Sequence, residues 1–290
     1  MSARGTTDVT VPGPLVGTQW LAERLGQPGV VVLDASVGAH RGRGPWIPGA
    51  RPFDIDGEMS AHGPDLPPHT MPDADQFTES VRALGVGDGD CVVVYDGAGI
   101  YSAARAWWML RAMGCAQVAV LDGGLPGWRA AGLPVDSRAP DPASYVRGDF
   151  TARPRSGAFV GREEVRRALA DEGSAVLDAR SRGRFAGTEP EPRAGLRPGH
   201  MPGAVNLPFG ELLDGDGRMR PVPELRRAFG ELGVEGRRWV VSCGSGVTAC
   251  VLALGADLAG HGDASVYDGS WSEWGLEGAG TPVVTEGASA

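Results

Sequence analysis

Trp239-Val240-Val241-Ser242-Cys243-Gly244-Ser245-Gly246-Val247-Thr248-Ala249-Cys250 joins a short apolar run to a thiol, two glycines and a segment of helical character. A run this short and this apolar reads as a strand buried on both faces, the pattern of a parallel sheet. A cysteine at the point where such a strand gives way to a helix faces unpaired N–H groups and the positive end of the helix dipole. That setting favours thiolate over thiol and makes Cys243 a candidate nucleophile, whereas most free cysteines are inert and buried. The two glycines weigh towards the first reading, because an anion-cradling loop needs the left-handed conformations and close backbone approach that glycine permits.

Outward from this stretch, the chain repeats itself. Val30-Val31-Val32-Leu33-Asp34-Ala35 is answered by Ala175-Val176-Leu177-Asp178-Ala179, and Trp46-Ile47-Pro48-Gly49-Ala50 by His200-Met201-Pro202-Gly203-Ala204. Cys91-Val92-Val93-Val94-Tyr95-Asp96-Gly97 is answered by the run ending at Cys243, and Leu121-Asp122-Gly123-Gly124-Leu125-Pro126-Gly127-Trp128 by Tyr267-Asp268-Gly269-Ser270-Trp271-Ser272-Glu273-Trp274. Four landmarks in one order, about 147 residues apart, indicate a tandem duplication. Apolar runs alternate with helical patterns such as Phe77–Leu84 and Val165–Leu169, so each copy is expected to be an α/β domain with a parallel sheet. Ligands of such folds sit at the carboxyl ends of strands, where Cys243 falls.

A polar, proline-rich stretch separates the copies. The expected organisation is a first domain over residues 1–138, an extended linker over 139–156 and a catalytic domain over 157–290. Asp96 stands where the second copy has Cys243. A carboxylate cannot act as a sulfur nucleophile, so the first copy is expected to be inactive.

With 290 residues, 42% of them hydrophobic, the chain can build two cores, and no apolar run approaches the ~20 residues of a membrane span. Its formal net charge of −9 argues against nucleic-acid or anionic-membrane partners. Arginine greatly outnumbers lysine, so an arginine needs a positional argument before a role. The four cysteines, at 91, 115, 243 and 250, are too sparse for a disulfide framework and contain no C-x-x-C pair. A first stretch without the apolar core of a secretory signal also points to the cytoplasm. No metal site is implied by the His and Cys spacing.

At this point the chain resembles the tandem rhodanese-domain sulfurtransferases, most of all their 3-mercaptopyruvate branch. The resemblance runs from about Leu15 to Val284 and rests on three motifs: Cys243-Gly244-Ser245-Gly246-Val247-Thr248-Ala249, Gly199-His200-Met201-Pro202-Gly203-Ala204, and Asp178-Ala179-Arg180 followed by Arg184-Phe185. It implies two tandem rhodanese-like domains, each a parallel β-sheet flanked by helices. It also implies that Cys243 takes sulfur from a small donor as a persulfide and passes it to a thiol, thioredoxin or cyanide. Gly244, Gly246, Val247 and Thr248 would direct their N–H groups at the sulfur. No organic cofactor is implied, because the sulfur is carried on the protein.

The loop bears on the donor. Thiosulfate-specific rhodaneses resemble Cys-Arg-Lys-Gly-Val-Thr here, with two cations for a dianion, while this chain has Gly244 and Ser245. A 2-oxo acid offers one carboxylate, which suits bidentate arginine. The mercaptopyruvate branch has two such arginines nine residues apart, matched by Arg184 and Arg193, with Arg180 and Arg197 as competitors. The resemblance further implies a relay of Ser245 with a histidine and an aspartate from the first copy, best matched by His69 and Asp56, with His62 as a rival for the histidine. His200 reads as a brace for a tight turn.

Three other readings compete with this one. A loop-cysteine phosphatase requires Cys-x5-Arg, and the sixth residue after Cys243 is Ala249. A thiosulfate sulfurtransferase is the alternative donor reading, and a non-catalytic sulfur-carrier or binding module the alternative class.

Overall fold

The computed structural model describes residues 8–262 and 264–286. The chain divides into two compact units. One comprises the chain up to Ala61, Met71–Arg155 and Asp214–Met219; the other comprises His62–Thr70, Ser156–Leu213 and the chain from Arg220 onward.

In the first unit the strands are β1 (Leu15–Val16), β2 (Val30–Asp34), β3 (Arg51–Pro52), β4 (Cys91–Tyr95) and β5 (Val118–Leu121), ordered β1-β5-β4-β2-β3. Its helices are α1 (Thr18–Ala22), α2 (Ala74–Ala83), α3 (Ala103–Ala112) and α4 (Gly124–Ala130). The second unit repeats the plan with β6 (Phe159–Val160), β7 (Ser174–Asp178), β8 (Val205–Asn206), β9 (Arg238–Ser242) and β10 (Ser265–Tyr267), ordered β6-β10-β9-β7-β8. Its helices are α5 (Arg162–Ala170), α6 (Arg182–Ala186), α7 (Val222–Gly230), α8 (Ala249–Ala259) and α9 (Ser270–Trp274). Every strand pairing is parallel. The fold is therefore α/β with two tandem sheets of one topology.

The sequence explains these elements locally. All five residues of β4 are buried, as are the last four of β9, which suits strands covered by helices on both faces. Asp73 caps α2 by accepting from the Gln76 N–H, and the helix then buries Phe77 and Val81 one turn apart. Helix α8 is apolar nearly all round and sits inside the core of its unit, ending at Gly260 in the left-handed conformation. The duplication persists in detail: the buried indoles of Trp128 and Trp274 donate to the carbonyls of Pro134 and Pro282, at 2.7 and 2.8 Å.

Two features depart from the contiguous division expected from the sequence. The stretch read as a linker is extended but anchored: Gly148 N donates to Arg82 O, Arg153 N to Met113 O, and the Phe150 ring is buried 6.1 Å from that of Phe77. The segment His62–Thr70 packs with the second unit, and Asp214–Met219 with the first. In the latter, Asp122 receives the Met219 N–H at 2.9 Å. Among the described residues no helix is long and apolar enough to cross a membrane.

Candidate functional site

Strand β9 lies between β7 and β10, with Ser242 in register with Asp178. It delivers Cys243 to the carboxyl edge of the sheet as a free thiol, 2% exposed. The first turn of α9 clamps the loop that follows. Cys243 N donates to Ser270 Oγ at 3.2 Å, Trp271 N to Cys243 O at 3.0 Å, and Ser272 gives Gly244 O two bonds, from N at 2.9 Å and from Oγ at 2.7 Å. Gly246, at φ +74°, turns the chain towards α8, and its carbonyl accepts from the Cys250 thiol at 3.2 Å. Cys250 thus serves packing and loop shape. The curl ends at Thr248, the residue before an eleven-residue helix whose positive end faces it.

The first copy shows what such a loop holds. Its Asp96 is buried, and the carboxylate accepts from the N–H groups of Ala98, Tyr101, Ser102 and Ala103 at 2.8–2.9 Å. Burial pushes this carboxyl up in pKa, and the four donors pull it back. The loop is closed by its own carboxyl group. His40 covers Gly97 so tightly that a Cβ there would meet the ring at 2.8–2.9 Å. The residues matching those four donors in the second copy are Ser245, Thr248, Ala249 and Cys250.

Two arginines stand beside the second loop. A Cβ placed on Gly244 would lie 3.0 Å from Arg184 Nη2 and 3.8 Å from Arg193 Nη1, so glycine here leaves room for both guanidiniums. Arg184 belongs to α6, which Ser181 caps by accepting from the Arg184 N–H at 3.3 Å. Its Nε and Nη2 fork onto Glu191 at 3.3 and 2.6 Å. Arg193 Nη2 approaches Ser245 Oγ at 3.4 Å.

The competing arginines are otherwise engaged. Arg180 is buried and bonded to Asp178, Glu191 and the Gly199 carbonyl. Arg197 donates to the carbonyls of Trp274, Gly275 and Thr281 at 2.8–3.3 Å. His200 braces its turn: its ring stacks on Phe185 at 3.7 Å and its Nδ1 pairs with the Phe185 carbonyl at 2.8 Å.

His69 comes from the segment that packs with the second unit, and its Nδ1 lies 2.9 Å from Ser245 Oγ. Its backbone is left-handed at φ +64°, a strained conformation for a histidine. His62 lies in the same segment, and it is His69 that reaches Ser245. Asp56 belongs to the first unit, in the turn closed by the Gly57 and Met59 N–H groups on the Asp54 carbonyl. Within the second unit the fold thus assembles Cys243, the loop residues Gly244 to Thr248, Arg184, Arg193 and His69. Sequence reasoning missed Glu191, Ser270 and Ser272. The one signal for Glu191 is its place between two singled-out arginines, which does not separate it from a solvated acid; the serines belong to the repeated Asp268–Trp274 landmark.

The family described as Rhodanese-like domain matches residues 17–131 and 161–277. The human 3-mercaptopyruvate sulfurtransferase is 42% identical, over 94% of this chain and 95% of its own. A protein of Arabidopsis thaliana named thiosulfate/3-mercaptopyruvate sulfurtransferase 1, mitochondrial, is 38% identical over 93% of this chain and 78% of its own. The crystal structure of SseA from Escherichia coli superposes with a TM-score of 0.79 at 35% identity, covering 90% of this chain and all of that one. With its duplicated sheet and loop cysteine, the chain belongs to the rhodanese-like family, as a tandem two-domain member. Its relatives set it among the sulfurtransferases of that family, on the side of those named for 3-mercaptopyruvate.

Proposed function

We propose that the protein transfers sulfur from 3-mercaptopyruvate, through a persulfide on Cys243, to a thiol acceptor and releases pyruvate. The observation that carries this reading is the pair of guanidiniums over Gly244 beside a loop that has no cation of its own. Two arginines from outside the loop suit the carboxylate and carbonyl of a 2-oxo acid, held at one end while its sulfur meets Cys243.

In the first half-reaction the Cys243 thiolate attacks the donor sulfur. An S–S bond forms, the donor C–S bond breaks, and its electron pair enters the carbonyl system as the enolate of pyruvate. Ser245, bonded to His69, would deliver the proton that the enolate carbon takes. The N–H groups of Gly244, Gly246, Val247 and Thr248 would hold the charge on sulfur, and Thr248 is the one of these whose counterpart, Tyr101, donates to Asp96. In the second half-reaction the acceptor attacks the outer sulfur and the Cys243 thiolate returns. Thioredoxin and cyanide are acceptors of suitable nucleophilicity.

Residues 157–290 supply the catalytic domain in this reading and residues 1–138 an inactive one. Four free cysteines suit the reducing cytoplasm as its location.

The test is intact-mass analysis after addition of 3-mercaptopyruvate, combined with kcat/KM for this donor and for thiosulfate. The expected result is a gain of one sulfur that Cys243→Ser abolishes, and a higher kcat/KM for 3-mercaptopyruvate. A mass gain that survives Cys243→Ser, or a preference for thiosulfate, overturns it.

A further inference from the structure

Five charged groups of the second unit meet beside Gly244. Asp178 binds Arg180 through its Nε and Nη2 at 3.0 and 2.7 Å, and Arg180 Nη1 reaches Glu191 Oε1 at 2.8 Å. Glu191 then uses both oxygens on Arg184, and Arg193 stands at the same glycine. The side chains of Asp178, Arg180 and Glu191 are 1%, 0% and 2% exposed, while that of Arg184 is 23% exposed. Burial opposes the Arg180 charge, and Asp178 and Glu191 more than offset it. With Cys243 left aside, three guanidiniums against two carboxylates leave one net positive charge, in surroundings where charge is weakly screened.

We infer that Glu191 is the residue that sets donor selectivity: its buried charge holds the site at one net positive charge, matched to a donor with one carboxylate, and its fork fixes which edge of Arg184 faces that donor. This inference rests on the reading of Cys243 as a sulfur-transfer site. Nε and one Nη2 proton of Arg184 are committed to Glu191, which leaves the second Nη2 proton, on the atom nearest Gly244, and Nη1 for a ligand there. Without the Glu191 charge the cluster carries two net positive charges, the value that suits a dianion. Glu191 acts through Arg184 and is a positioning residue.

The experiment compares kcat/KM for 3-mercaptopyruvate and for thiosulfate in the full-length wild type, Glu191→Gln, Glu191→Asp and Glu211→Gln. Glu211 pairs with Arg182 in the open and provides the same charge change away from the cluster. Inactive molecules lower both values alike, so the ratio between donors is insensitive to a loss of folded protein. Glu191→Gln should move the ratio at least about tenfold towards thiosulfate. Glu191→Asp, which keeps the charge, and Glu211→Gln should stay within about threefold of the wild type. An unmoved ratio in Glu191→Gln, or an equal shift in Glu191→Asp, overturns the inference. Competition in the wild type gives a readout that needs no variant: pyruvate should inhibit more strongly than sulfate, and the reverse order overturns the inference as well. A wrong donor assignment would show separately, as a wild type that prefers thiosulfate, because the shift between variants is read whichever donor the wild type favours.

Discussion

The Nδ1 atom of His69 and the Oγ atom of Ser245 are 2.9 Å apart, and the same Oγ lies 3.4 Å from Nη2 of Arg193. One hydroxyl therefore joins the loop after Cys243 to a histidine that precedes it by 176 residues and to an arginine beside Gly244. Two groups that act as one unit give non-additive losses. Ser245→Ala and His69→Ala should each slow pyruvate release by about 10- to 100-fold, and the double variant should be no slower than the worse single one. Single-turnover measurement of pyruvate reads this directly, and full additivity would dissolve the proposed relay.

Arg184 makes two bonds to Glu191 with a planar fork, which a lysine ammonium cannot reproduce. Arg184→Lys keeps the charge and should still raise KM for 3-mercaptopyruvate about tenfold, with a smaller change in kcat. Steady-state kinetics on the purified variant check this; an unchanged KM would remove Arg184 from donor binding.

Ser270 is fully buried, accepts the Cys243 N–H and donates to Tyr267 O at 2.7 Å. Ser270→Ala strands a buried donor and should cost about 1–3 kcal/mol in urea unfolding. Ser242 is the useful contrast, since its hydroxyl is buried and has no hydrogen-bond partner among the described residues. Ser242→Ala should be neutral or slightly stabilising in the same assay, because no bond is lost and a desolvated hydroxyl is removed.

Burial pushes the Cys91 thiol up to about 11 and the Cys115 thiol up to about 12, from an ordinary 9.0. The folded protein holds these protons more tightly than the unfolded chain does. Their contribution to stability is full below pH ~9 and is lost as pH rises through the folded values. Unfolding free energy should therefore fall from pH ~9 upward, by up to about 1.4 kcal/mol per pH unit for each thiol. Cys115→Ala should flatten that decline in chemical unfolding followed across pH, and an identical slope would assign it to other groups.

Much of the fold could be read from the chain because parallel strands buried on both faces leave unbroken apolar runs, as at Val30–Asp34 and Cys91–Tyr95, and because the duplication shows each landmark twice. The loop from Cys243 to Thr248 and the nine-residue spacing of Arg184 and Arg193 were legible as local motifs. What was not legible is set by contacts distant in sequence. Nothing in the composition of residues 62–70 marks them for the second unit, and nothing around Phe150 marks a proline-rich stretch for burial against Phe77. Glu191 was hidden for a related reason: an acid in an arginine-rich loop ordinarily reads as a solvated surface group, and only the fold shows it enclosed between Arg180 and Arg184.

The oxygens of Asp96 lie two bonds beyond its Cβ, and so does the outer sulfur of a persulfide on Cys243. With four N–H groups gathered on those oxygens, the first copy is a permanent portrait of its twin in the sulfur-loaded state, drawn in carbon and oxygen. What the second copy would acquire and surrender in each turnover of the proposed reaction, the first has had written into its sequence.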